Sequence, residues 1–142
     1  MNSPEVSVLL VEDNDFDVMR VTRAFKKLDD GRPVIRARDG VDALNILSGE
    51  GGSASLQHPF VIILDLNMPR MGGLEFLNKL RSDTAHRSAP VFVVTTSDYL
   101  ADVKAAHSHL INGYFVKPKT AGEMTEILGL LSRYWDLCQY PQ

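Results

Sequence analysis

Five short apolar runs punctuate the chain, and each is followed by turn-forming polar residues and then by a stretch with helical spacing. The runs are residues 6–11 (VSVLLV), a weaker one at 33–37, 61–64 (VIIL), 90–95 (PVFVVT) and 113–116. Short continuous apolar runs bounded by turn signals read as strands covered on both faces. Between them, Val18, Val21, Phe25 and Leu28 recur at helical spacing, with Arg20, Arg23, Lys26 and Lys27 toward water. Asn14 or Asp15 caps this first helix, and Asp29, Asp30 and Gly31 close it. A second, short helix opens at Asp39-Gly40 and carries Val41, Ala43, Leu44 and Leu47. The third carries Leu74, Phe76, Leu77 and Leu80 and ends before a loop at 81–89. The fourth spans 98–110 with Val103, Ala106 and Leu110 as its stripe, and the last runs from Thr120 to about Leu137. Residues 48–59 (SGEGGSASLQHP) lack periodicity and read as a flexible surface connection. Strand and helix thus alternate five times, which implies one parallel sheet covered on both faces by right-handed crossovers.

Composition narrows the function classes. With 142 residues the chain has room for a single domain with a real core. It is 44% hydrophobic and 23% charged, outside the range of disordered chains. A net charge of -3 gives no bulk attraction to nucleic acid or anionic membrane. No apolar run approaches the roughly 20 residues that span a bilayer. The first residues lack the basic start of a signal peptide. Cys138 stands alone, excluding an intramolecular disulfide and fitting a reducing cytoplasm.

The strand ends carry the chemistry. In a parallel sheet all carboxyl ends lie along one edge, where open α/β sheets bind ligands. The first strand ends in Glu12 and Asp13, the third in Asp65, the fourth in Thr95 and the fifth in Lys117. Asp65 alone reads equally well as a cap for the helix after it. Together, three converging carboxylates repel each other, and a divalent cation relieves that repulsion. Magnesium prefers hard oxygen donors and retained waters, so Glu12, Asp13, Asp65 and the backbone carbonyl of Asn67 suit it. Three carboxylates, one magnesium and one lysine sum to zero charge.

These motifs are VEDND at 11–15, DGVDAL at 39–44, LDLNMPRMGG at 64–73, VTTS at 94–97 and YFVKP at 114–118. Each is weak by itself, but all of them in this order on strand ends resemble a response regulator receiver domain of the single-domain chemotaxis type. The resemblance spans about residues 6–137 of a chain read as a single receiver, 1–142, without an output domain. It implies a flavodoxin-like, doubly wound (βα)5 fold with a five-stranded parallel sheet of order 2-1-3-4-5. It also implies that Asp65 accepts a phosphoryl group from the phosphohistidine of a sensor histidine kinase. On the same resemblance Glu12 and Asp13 hold magnesium and the Asn67 carbonyl completes the metal site. Thr95 is the switch hydroxyl, Lys117 pairs with a phosphoryl oxygen, and Tyr114 is the aromatic rotamer switch. Hydrolysis is limited to self-dephosphorylation, so the chain is not expected to be an enzyme in the ordinary sense.

Two positions depart from the family pattern. Gly72 replaces the usual Asp and is expected to loosen the loop. Thr96 replaces a small residue and adds bulk beside the phosphoryl position. His58, His86, His107 and His109 are scattered and make a poor metal set, since residues two apart on a helix point to different sides.

On the last helix Met124, Ile127, Leu128, Leu131 and Trp135 suffice for a core stripe, while Leu130, Tyr134 and Leu137 form a second apolar face. That excess suggests an interface. The tail YWDLCQYPQ, with VTTS and DNDFDV, resembles small receivers that partner bacterial phytochrome kinases. It implies a homodimer through the fourth helix, fifth strand, fifth helix and C-terminal segment. Output is either partner binding or onward relay to a histidine phosphotransfer protein. Two rivals remain: a magnesium-dependent phosphatase with an Asp nucleophile, disfavoured because Asn67 stands where such enzymes place a second Asp, and a degenerate receiver that only binds proteins.

Overall fold

The computed structural model describes residues 5–49 and 56–140. Five strands form one sheet: β1 (Ser7–Val11), β2 (Val34–Ala37), β3 (Phe60–Leu64), β4 (Val91–Thr95) and β5 (Gly113–Val116). Five helices alternate with them: α1 (Asp15–Lys27), α2 (Gly40–Ser48), α3 (Gly73–Ser82), α4 (Leu100–Ser108) and α5 (Ala121–Leu137). Every strand pairing is parallel and the order is β2-β1-β3-β4-β5, the flavodoxin-like order expected from the sequence. The expected connection at 48–59 falls largely outside the described residues.

The two-residue period of a strand explains how one sheet serves two cores. Leu9, Val11, Ile62, Leu64, Val91 and Val93 face one side, where Phe76, Leu77 and Leu80 of α3 cover them with Ala43 and Ile46 of α2 and Ala106 of α4. Val8, Leu10, Val61, Ile63, Phe92 and Val94 face the other, against Val21 and Phe25 of α1 and Met124, Leu128, Leu131 and Trp135 of α5. All five residues of β1, β3 and β4 are buried, which is why these segments read as continuous apolar runs.

Local chemistry sets the helix starts. Asn14, rather than Asp15, caps α1 by accepting from the Asp17 amide; Asp39 and Thr120 do the same for α2 and α5. Helix α4 has no side-chain cap, and Ala106 is its single buried residue. The expected stripe there fails at Leu110, which is 76% exposed with φ 60 just past the end of α4. Arg81, expected in a loop, belongs to α3, and its guanidinium donates to the carbonyls of Arg87, Ala89, His109 and Leu110. In α2 the buried apolar residues are Ala43 and Ile46, while Val41, Leu44 and Leu47 are only partly covered.

The turn from β3 into α3 is the tightest place in the fold. A Cβ at Gly73 would stand 2.6 Å from the Asp65 carbonyl oxygen and 2.8 Å from the Leu66 Cα, both backbone atoms that cannot step aside. At Gly72 the nearest atom is the Leu66 carbonyl oxygen at 3.2 Å, and φ is -74, so glycine there meets crowding rather than adding freedom. The loop is also tied down. Arg70 donates to both Asp39 carboxylate oxygens at 2.6 and 3.0 Å, and the Gly40 amide bonds the Met71 carbonyl at 3.1 Å. The expectation of a loosened loop at Gly72 is corrected accordingly. Gly73→Ala is expected to lower unfolding free energy by about 1–3 kcal/mol, the usual cost of overpacking. Gly72→Ala should cost visibly less when both are measured by urea unfolding.

Candidate functional site: a buried carboxylate cluster at the strand ends

The register of the sheet brings the ends of β1 and β3 side by side, Val11 opposite Leu64. Glu12 and Asp65 therefore emerge together, both buried, at 4% exposure each. Asp13 is exposed beside them. Carboxylate oxygens of Glu12, Asp13 and Asp65 lie within 4.8 Å of one another. Thr95, at the end of β4, is fully buried. Lys117 follows β5, its amide bonded to the Thr95 carbonyl at 2.7 Å, so the two residues are fixed relative to each other by the ladder itself.

Lys117 Nζ is the one cation reaching into this cluster among the described residues. It lies 3.0 Å from Glu12 Oε2 and 3.5 Å from Asp65 Oδ2. Its shortest contact is to a residue that the sequence reading did not single out: Asp17 Oδ2, at 2.7 Å. Asp17 sits in the first turn of α1, inside the quoted DNDFDV segment, where its amide donates to the Asn14 side chain that caps the helix. Arg20, expected to face water, pairs with Asp17 at 3.5 Å and donates to the Pro118 carbonyl. The charge sum from sequence thus gains a carboxylate and a guanidinium, and still closes.

Burial pushes the Glu12 carboxyl up from 4.5 to about 7, the Asp65 charge adds to it, and Lys117 pulls it back. For Lys117, burial lowers the pKa, but hydrogen bonds to Asp17 and Glu12 outweigh it and leave the ammonium more firmly charged than usual. A set of hard oxygen donors whose charge one lysine offsets only in part fits a small divalent cation. Asn67 is exposed; its amide lies 3.4 Å from Asp65 Oδ1, and its side chain reaches Thr96 Oγ1 at 3.5 Å.

The Thr95 hydroxyl is buried and has no hydrogen-bond partner among the described residues. A buried donor left unpaired costs on the order of 1–3 kcal/mol, so its retention here asks for an explanation. Tyr114, half-buried on β5, donates its hydroxyl to the Ser97 carbonyl at 2.8 Å, and burial raises its pKa. Ser97 also bonds Asp102 in the first turn of α4, which links the β4 end to the loosely packed helix.

The response regulator receiver domain model matches residues 8–129. The chain belongs to this family. Receiver domains are phosphoacceptor switches rather than turnover enzymes. A probable methanogenesis regulatory protein, FilR2 of Methanothrix harundinacea, is 36% identical over 90% of this chain and 82% of its own length. Response regulator Rcp1 of Synechocystis is 31% identical over 94% of this chain and 90% of its own. Among solved structures, the phosphorylated cyanobacterial phytochrome response regulator RcpA superposes with a TM-score of 0.88 at 28% identity, covering 98% of this chain and all of that one. The Mn(2+)-bound form of Rcp1 gives 0.83 at 29% identity, over 98% of this chain and 100% of its own. This receiver is therefore close to the phytochrome response regulators, as its motifs suggested. No helix is long and apolar enough to cross a membrane among the described residues.

The raised Glu12 pKa has a pH consequence. Between 4.5 and about 7 the fold holds the Glu12 proton more tightly than the unfolded chain does, so stability falls as pH rises through that window. The metal-free receiver is expected to lose on the order of 1–3 kcal/mol from about pH 5 to about pH 8, with a smaller loss in Glu12→Gln. Millimolar magnesium should raise the melting temperature more at the higher pH, where the carboxylates are charged. Thermal unfolding across that range checks both.

Proposed function

We propose that this receiver takes a phosphoryl group from the phosphohistidine of a sensor histidine kinase onto Asp65. The single observation that carries the reading is the buried, unpartnered Thr95 hydroxyl on the strand beside Asp65, next to a lysine that is itself held by the strand ladder. The hydroxyl is a donor for which the described residues offer no acceptor, and the lysine is a cation already near Asp65 whose contacts an added phosphoryl group would redistribute. Glu12, Asp13, Asp65 and the Asn67 main-chain carbonyl would hold magnesium, which when bound offsets negative charge on the transferring phosphoryl group.

An Asp65 oxygen forms the new O–P bond as the P–N bond of the phosphohistidine breaks, and the electron pair leaves on the imidazole nitrogen. Transfer of this kind needs in-line positioning and charge stabilisation more than covalent help. Modification replaces a charge of minus one by one near minus two with three acceptor oxygens. The Thr95 hydroxyl and the Lys117 ammonium turn toward them. As Thr95 moves, Tyr114 gives up the Ser97 carbonyl and rotates inward, releasing a contact next to α4. That helix has little buried surface to resist displacement. The outcome is a changed α4-β5-α5 face for partner binding or for relay to a histidine phosphotransfer protein.

A bacterial phytochrome kinase is the proposed donor, supported by the likeness to Rcp1 and RcpA, and the cytoplasm is the matching compartment. Tyr99, Leu100, Val116, Leu130, Tyr134 and Leu137 are exposed on or beside the α4-β5-α5 face and support a homodimer there that includes the C-terminal segment.

Incubation with magnesium and acetyl phosphate is expected to add one labile phosphoryl group by intact mass, and Asp65→Asn abolishes the adduct. Absence of an adduct would leave the chain a protein-binding module, and multiple turnover of phosphoesters would make it a phosphatase. Light scattering at tens of micromolar should give twice the chain mass; a monomer mass with and without a phosphoryl mimic sinks the dimer.

A further inference from the structure

We infer that Asp17 is a positioning residue that competes with the phosphoryl group for Lys117, and so biases the receiver toward its unmodified state. The inference rests on the proposed phosphoacceptor role of Asp65. It starts from an order of distances that sequence motifs do not contain. The ammonium has three N–H donors. Nζ lies 2.7 Å from Asp17, 3.0 Å from Glu12 and 3.5 Å from Asp65, so the carboxylate at the proposed phosphorylation position is the one least engaged. With the ammonium drawn toward Asp17 and Glu12 and only loosely toward Asp65, a phosphoryl oxygen on Asp65 gains Lys117 only as a nearer contact lengthens. The shortest of those contacts is the one on α1.

The pair is built to hold. Side-chain exposure is 9% for Lys117 and 17% for Asp17, so solvent screens their attraction only in part. Arg20, one turn along α1, bonds the other Asp17 oxygen at 3.5 Å and donates at 2.5 Å to the carbonyl of Pro118, the residue after Lys117. Asp17 is thereby fixed from one side while it draws Lys117 from the other, and the β5–α5 connection is clamped to the first helix. Asp17 is rooted in the first turn of α1, so movement of the ammonium toward the phosphoryl group lengthens this contact. Removing its charge abolishes that competition, and Lys117 becomes free to close on Asp65 and any group it carries.

The test uses beryllofluoride with saturating magnesium as a phosphoryl mimic on the full chain. Asp17→Asn is expected to tighten its apparent affinity by about tenfold, the scale of one charge-assisted hydrogen bond. Asp15→Asn carries the same change of charge on the same helix turn, but Asp15 pairs with Arg36 and Arg38 rather than with Lys117. It should shift affinity less than about twofold if long-range attraction is the whole of its effect. A second readout reports position directly. The NMR signal of the Lys117 ε-carbon moves on addition of the mimic to the unsubstituted protein, and in Asp17→Asn it starts already displaced toward the bound value. Where Asp17→Asn does not fold, Asp17→Ser carries the same expectations. Equal affinity in Asp17→Asn and the unsubstituted protein, equal shifts in the Asp15 and Asp17 variants, or an undisplaced Lys117 signal would overturn the inference and leave the phosphoacceptor reading standing. Failure of the unsubstituted protein to bind the mimic overturns that reading and this inference with it.

Discussion

Several acidic side chains and a single ammonium share one dry corner of the sheet, and much of the structure follows from keeping that arrangement bearable. Glu12 and Asp65 are buried by the same strands that place them. Isolated carboxylates there would be costly, and the raised Glu12 pKa shows that Lys117 does not relieve them fully. The site is thus left short of positive charge in the unmodified protein. That shortage suits a divalent cation, and it holds Lys117 under tension between Asp17, Glu12 and Asp65. A switch proposed to run on one added phosphoryl group needs such a balance, in which a modest change of charge redistributes the contacts of one lysine.

The remainder of the molecule divides into parts that must not move and parts that can. The β3–α3 turn belongs to the first kind: backbone crowding at Gly73 and the Arg70–Asp39 pair hold the proposed phosphoacceptor in place. Helix α4 belongs to the second, joined to the sheet by Ala106, by the Ser97–Asp102 bond and, through Ser97, by Tyr114. Stability and responsiveness are therefore placed on neighbouring elements of one sheet edge.

Most of the fold was legible because burial on both faces writes itself into the chain as unbroken apolar runs, and because helical spacing marks what lies between. Where reading failed, the cause was local. Leu110 has the right spacing for α4, but the backbone turns left-handed there and carries it into solvent. Arg81 looked like a loop cation because hydrophobic spacing had run out, yet it lies in the last turn of α3 and its guanidinium donates to carbonyls of the loop after α3 and of the end of α4. Gly72 was read as freedom where the structure shows a close approach.

The candidate site shows the same division. Glu12, Asp13, Asp65, Thr95 and Lys117 could be named in advance, because a parallel sheet sends every strand end to one edge and residue position then implies meeting. Asp17 could not. It lies on a helix, and whether its side chain reaches the sheet depends on how α1 settles against β1 and α5. That in turn is decided by packing of Val21, Phe25, Met124 and Leu128, which carries no trace in the acidic residue itself. Sequence determines which groups are available and which edge they share. Only the tertiary structure decides which carboxylate stands nearest the lysine, since differences of less than 1 Å among those contacts arise from the packing of whole helices.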